Sequence, residues 1–115
     1  MKKILLAVSL AVTAVGLCAQ DYSKIEIKAE KASGNVYMLS GSGGNIGVLA
    51  TDKGLLLIDD QFQPLAEKIE SSMKSIKNNE LKYIVNTHFH GDHTGSNSYF
   101  SHQAPIFAHE NVRER

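Results

Sequence analysis

Cysteine is nearly absent from this chain. The one thiol, Cys18, lies among the first nineteen residues, so a form that has shed them carries none, and no disulfide framework can hold it together. Stability has to come from packing. A surplus of charge is missing too: twelve Lys and Arg balance twelve Asp and Glu, and losing Lys2 and Lys3 leaves ten against twelve, a net charge of minus two. There is no basic stripe or polybasic run, which argues against a nucleic-acid partner. Length is short as well, since 115 residues make one small domain at most.

Met1-Lys2-Lys3, the apolar run from Ile4 to Leu17 and the small-residue exit near Ala19 have the order of a bacterial-type secretory signal. The run is too short for a comfortable membrane span. Cleavage after Ala19 places Gln20 at the amino terminus, assigns residues 1–19 to the leader and sends residues 20–115 to the periplasm or beyond, with no stable membrane anchor. Leu17 stands before Cys18 where a lipid-attachment signal wants a small residue, so lipidation is not expected.

Residues 21–33 alternate weakly and read as a lead-in or an edge strand. Asn35 to Leu39 is strand-like. The glycine-rich stretch 41–47 lacks the lysine and following helix of a phosphate loop and is expected to be a flexible turn. Ile46–Ala50 and Leu55–Asp59, joined by Thr51-Asp52-Lys53-Gly54, predict a hairpin with glycine at a positive φ. Leu65, Ile69, Met73 and Ile76 recur at helical spacing behind Pro64, which suits a first helical position. Asn78-Asn79 ends that helix, and Leu81–Asn86 reads as a strand. A short helix is expected within Gly95–Phe100, a strand at Ile106–Ala108 and a helix start near Asn111. Stopping inside that last element suggests truncation.

The chemistry concentrates in Thr87-His88-Phe89-His90-Gly91-Asp92-His93. Neutral imidazole and carboxylate are the ligands zinc prefers, and in an extended chain residues i and i+2 point to the same side. His88 and His90 can therefore grip one ion. Gly91 is free to take backbone angles that turn the chain, aiming Asp92 and His93 at a neighbouring position. The order strand, helix, strand, loop puts these ligands at the carboxyl end of a strand, where α/β folds gather their sites. His109-Glu110 resembles the opening of a His-Glu-x-x-His helix, but position 113 is Arg, so a helix start is the better account. His102 has no partner at ligand spacing.

At these residues the chain resembles the metallo-β-lactamase superfamily, whose signature His-x-His-x-Asp-His is followed by x-Gly-Gly. His88, His90, Asp92, His93 and Gly95 match it, with Ser96 where the second glycine usually lies. Gly54–Asp59 looks like the family's strand ending in aspartate, with Asp60 in place of the common threonine. The resemblance runs from about Val36 to the end. It implies an α/β fold, the amino-terminal half of a four-layer αβ/βα sandwich, because the family's domain is about twice this length.

By the same resemblance His88 and His90 bind a first zinc, and Asp92 and His93 a second. Ligands from later in the chain complete both sites, and Asp92 also orients the attacking hydroxide. Asp59 either supports the ligand loop from behind or caps a turn. The implied activity is hydrolysis of a small molecule (a β-lactam, lactone, thioester or sulfate ester) by a secreted enzyme. Residues 20–115 alone are expected to bind zinc weakly and not to turn over. The alternative is a periplasmic metal-binding or metal-carrying protein without catalysis. No oligomeric state follows from the sequence.

Overall fold

A computed structural model describes residues 19–114, so most of the expected secretory leader, Cys18 included, lies outside them. Six strands form one sheet in sequence order: β1 (Lys28–Ser33), β2 (Val36–Ser40), β3 (Ile46–Thr51), β4 (Gly54–Ile58), β5 (Leu81–Val85) and β6 (Ile106–Phe107). The first four run as an antiparallel meander. From β4 onward pairing is parallel, which requires crossovers. The first contains α1 (Ala66–Ile76). The second contains the one-turn helices α2 (Gly91–Thr94) and α3 (Asn97–Phe100), and α4 (Glu110–Arg113) follows β6.

Alternation along the strands decides which side is packed. Leu39, Ile46, Val48, Ala50, Leu55, Leu57 and Ile84 are buried against Ala66, Ile69 and Met73 of α1 and against Phe100 of α3. Val36, Leu49, Ile58, Tyr83 and Phe107 point the other way, and Tyr83 and Phe107 are about half exposed, at 50% and 53%. Their rings meet at 5.9 Å on this bare face. Among the described residues no helix is long and apolar enough to cross a membrane.

Most expected elements are present, the lead-in and edge strand of residues 21–33 among them, with two differences, at Pro64 and at Gly91. The 21–33 segment is a short 3-10 turn (Tyr22–Lys24) followed by the edge strand β1, whose residues are all exposed. Pro64 sits in a 3-10 turn (Gln63–Leu65) that leads into α1 and is not the first residue of that helix. Gly91 turns the chain without a positive φ: it opens α2, and the reversal is made by helical hydrogen bonds from His93 and Thr94 N–H to the His90 carbonyl. The hairpin turn does carry Gly54 at φ +136.

Candidate metal centre

The ligand loop leaves the carboxyl end of β5, and the carboxyl end of the neighbouring parallel strand β4 supplies what holds it. Asp59 N–H extends the ladder by donating to the Val85 carbonyl. Asp59 (φ 63) and Gln61 (φ 53) then adopt the left-handed region, uncommon for residues other than glycine. Asp59, Asp60 and Gln61 are all buried. Each points to a different part of the site.

Asp59 accepts the Thr87 N–H on Oδ1 at 2.7 Å, and on Oδ2 the Thr87 hydroxyl and the His93 Nδ1–H, each at 2.7 Å. All three bonds go to the ligand loop, so of the two roles the sequence left open the geometry matches support of that loop from behind. Asp60 donates its N–H to the His93 carbonyl and accepts the Ser96 N–H on Oδ1 at 2.9 Å. Gln61 reaches the glycine-rich loop, donating from Nε2 to the Gly44 carbonyl and accepting the Ser42 N–H.

His88 Nε2 stands 3.2 Å from His90 Nδ1, and His93 Nε2 stands 3.5 Å from Asp92 Oδ2. Two ligands at zinc bond lengths on a tetrahedral ion lie about 3.3 Å apart, so both pairs have the spacing of ligands that share a metal. The pairs abut, with the His88 and His93 rings 3.9 Å between centroids. Among the described residues no group of three or more His, Cys, Asp or Glu could hold an ion. His102 is exposed, and His109 caps α4 by accepting the Asn111 N–H.

The glycine-rich loop does more than turn. Gly44 N–H donates to Asp92 Oδ2 at 2.9 Å, fixing the carboxylate from across the sheet. A Cβ on Gly44 would stand 2.4 Å from His93 Cε1 and Nε2, and one on Gly43 would stand 2.6 Å from the Asp92 Cβ. Only bare backbone can approach this closely. Gly44→Ala is expected to weaken zinc binding about tenfold, because the His93 ring must leave its carboxylate. A competitive chelator titration checks this, and affinity equal to the parent's would show that the loop does not constrain the ligands.

Gly95 is required for a similar reason, since a Cβ there would lie 2.6 Å from the carbonyl oxygens of both Gln61 and Gly91. Its neighbour Ser96 is fully buried, and among the described residues neither its Oγ nor Asp60 Oδ2 has a hydrogen-bond partner. Burial pushes the Asp60 carboxyl up to about 7, against the Ser96 N–H bond that favours the charged form and with the Asp59 charge adding to the rise.

The folded chain therefore holds a proton that the unfolded chain, with an ordinary value of 3.8, has released. The Asp60 contribution to stability is full below about pH 4, falls as pH rises toward about 7 and is flat above. Asp60→Asn mimics the protonated group, so its stability relative to the parent should rise from pH 4 to pH 8. Urea unfolding of both at each pH measures this, and a constant difference would contradict it.

A sequence profile described as the metallo-beta-lactamase superfamily matches residues 39–111, more than half of the chain. The chain belongs to that superfamily. No curated protein sequence matches it. Among solved structures, DIM-1 metallo-beta-lactamase is 18% identical, covering 79% of this chain and 46% of its own, with a TM-score of 0.68. FIM-1 from Pseudomonas aeruginosa, in its mono-zinc form, is 16% identical with coverages of 77% and 44% and a TM-score of 0.69. A metallo-beta-lactamase from Pontibacter korlensis is 22% identical, with coverages of 76% and 45% and a TM-score of 0.64. The described residues thus carry the expected α/β superfamily fold, and the chain spans a little under half the length of these three structures.

Proposed function

We propose that this chain carries the first half of the metal centre of a secreted zinc-dependent hydrolase. The observation that supports it best is the double spacing at the strand end, 3.2 Å within one pair and 3.5 Å within the other. His88 and His90 belong to one ion, and Asp92 and His93 to a second. The remaining ligands come from residues other than those described. Zinc, when bound, acidifies water so that a nucleophile exists near neutral pH.

The chain's own residues do the rest. Asp59 keeps the proton of His93 on Nδ1, so that Nε2 offers its lone pair to a metal, the arrangement that imidazole ligands generally require. Gly44 N–H holds the Asp92 carboxylate in place, and Asp92 is the residue that orients the attacking water. The substrate is a small molecule. β-Lactams lead, because the structural relatives are named metallo-beta-lactamases, and lactones, thioesters and sulfate esters follow.

Zinc titration and turnover of a chromogenic β-lactam, a lactone and a thioester, all on the longest translated product containing these residues, test the proposal. Stoichiometric zinc with hydrolysis of one of them is expected. Absence of any bound transition metal after supplementation would sink it.

The paired arrangement, short of a closed set of three or four ligands among the described residues, favours one second reading: a metal carrier that binds reversibly. A carrier exchanges zinc rapidly with a chelator and hydrolyses none of the three substrates.

A further inference from the structure

Thr87 lies between the carboxylate behind the site and the first ligand of the motif. Its hydroxyl is 2.7 Å from Asp59 Oδ2 and 3.0 Å from His88 Nδ1. The directions of these bonds follow from proton counting. A carboxylate only accepts, so the single hydroxyl proton of Thr87 goes to Asp59. The Thr87 oxygen is then left as an acceptor toward His88, and His88 Nδ1 must carry the proton.

A neutral imidazole protonated on Nδ1 has its lone pair on Nε2. In His88 that is the nitrogen 3.2 Å from His90 Nδ1. The same Asp59 oxygen accepts the Nδ1–H of His93, whose Nε2 stands beside Asp92. The Thr87 N–H on Asp59 Oδ1 at 2.7 Å anchors the carboxylate independently of the hydroxyl.

We propose that Thr87 is a positioning residue that relays the Asp59 carboxylate to His88, so that one buried carboxylate presents the ligating nitrogen of one imidazole in each pair. Asp59 serves His93 directly and His88 through the hydroxyl. The relay rests on the metal-holding reading given above for its purpose, but the tautomers it sets exist in the metal-free chain and are measured there.

The test uses Thr87→Val, which keeps the shape and the backbone N–H and removes the hydroxyl, Thr87→Ser, which restores it, and Asp59→Asn. Long-range 15N–1H spectra of the metal-free parent should show both His88 and His93 protonated on Nδ1. Thr87→Val should release His88 into a tautomer mixture while His93 stays as it is, Thr87→Ser should bring His88 back, and Asp59→Asn should release both rings. In zinc titrations Thr87→Val is expected to lose about tenfold in affinity and Thr87→Ser to return most of it.

An unchanged His88 in Thr87→Val, or equal disturbance of His88 and His93, would overturn the relay and leave a merely structural threonine. Should the parent take up no zinc while the tautomers behave as described, the relay stands and the metal-holding reading falls.

Discussion

His90→Ala should lower zinc affinity at least about a hundredfold while leaving the chain folded. The backbone of His90 does the structural work at this position: its carbonyl accepts N–H bonds from His93 at 2.9 Å and from Thr94 at 3.1 Å, and alanine retains both. Its side chain does something separate, placing Nδ1 3.2 Å from His88 Nε2. Losing an outer partner of a ligand already costs about 10- to 100-fold in metal affinity, and losing the ligand itself costs at least the upper end of that range. In a product long enough to turn over substrate, hydrolysis should fall by orders of magnitude, because the nucleophile depends on the metal. Chelator competition reads the first effect, substrate turnover the second, and circular dichroism the retained fold. A variant that binds zinc like the parent removes His90 from the centre.

Phe100→Ala carries the largest expected loss of stability. Among the described residues Phe100 is the bulkiest fully buried side chain, and it is the only buried residue that α3 contributes. Truncating a buried phenylalanine to alanine costs about 3–5 kcal/mol through lost transfer energy and the cavity left behind. Small domains hold only about 5–15 kcal/mol in total, so the variant should be largely unfolded at room temperature or melt far below the parent. The damage reaches the site, since α3 follows the ligand loop directly and Phe100 N–H bonds to the carbonyl of Ser96, itself tied to Asp60. Urea unfolding measures the loss. A decrease under about 1 kcal/mol would mean that another contact holds α3 to the sheet.

How much of this could be read from the chain depended on how far apart the cooperating residues lie. The proximity of His88 to His90 and of Asp92 to His93 is local, set by alternation and one reversal, and that proximity was legible. The reversal itself was assigned to glycine freedom, whereas α2, one turn long, makes it, and four residues are too few to show helical periodicity. β1 gave a weak signal because an edge strand with every residue exposed has no apolar face to alternate with.

Contacts made across the sheet were hidden. Gly44 meets Asp92 and His93 nearly fifty positions away in sequence, so the glycine-rich loop looked like a turn and no more. Gln61 carried no signal at all, because neither its left-handed backbone nor its reach to Gly44 and Ser42 has a sequence pattern. Asp60 was visible as a departure from the family's threonine. Its complete burial was not, since aspartate is almost never fully buried without a charged partner.

The left-handed backbone at Asp59 and Gln61 is a strain that the side chains' own hydrogen bonds offset. Each non-glycine residue held there stores strain on the order of 1 kcal/mol, which glycine would release. Glycine at either position would release that strain but remove part-buried hydrogen bonds, with Thr87 and His93 at Asp59 and with Ser42 and Gly44 at Gln61, at a cost of about 1–3 kcal/mol for each group left unsatisfied. Glycine at 59 should therefore lower the melting temperature and weaken metal binding together, because one carboxylate orders Thr87 and His93 and also holds its own strained backbone in place.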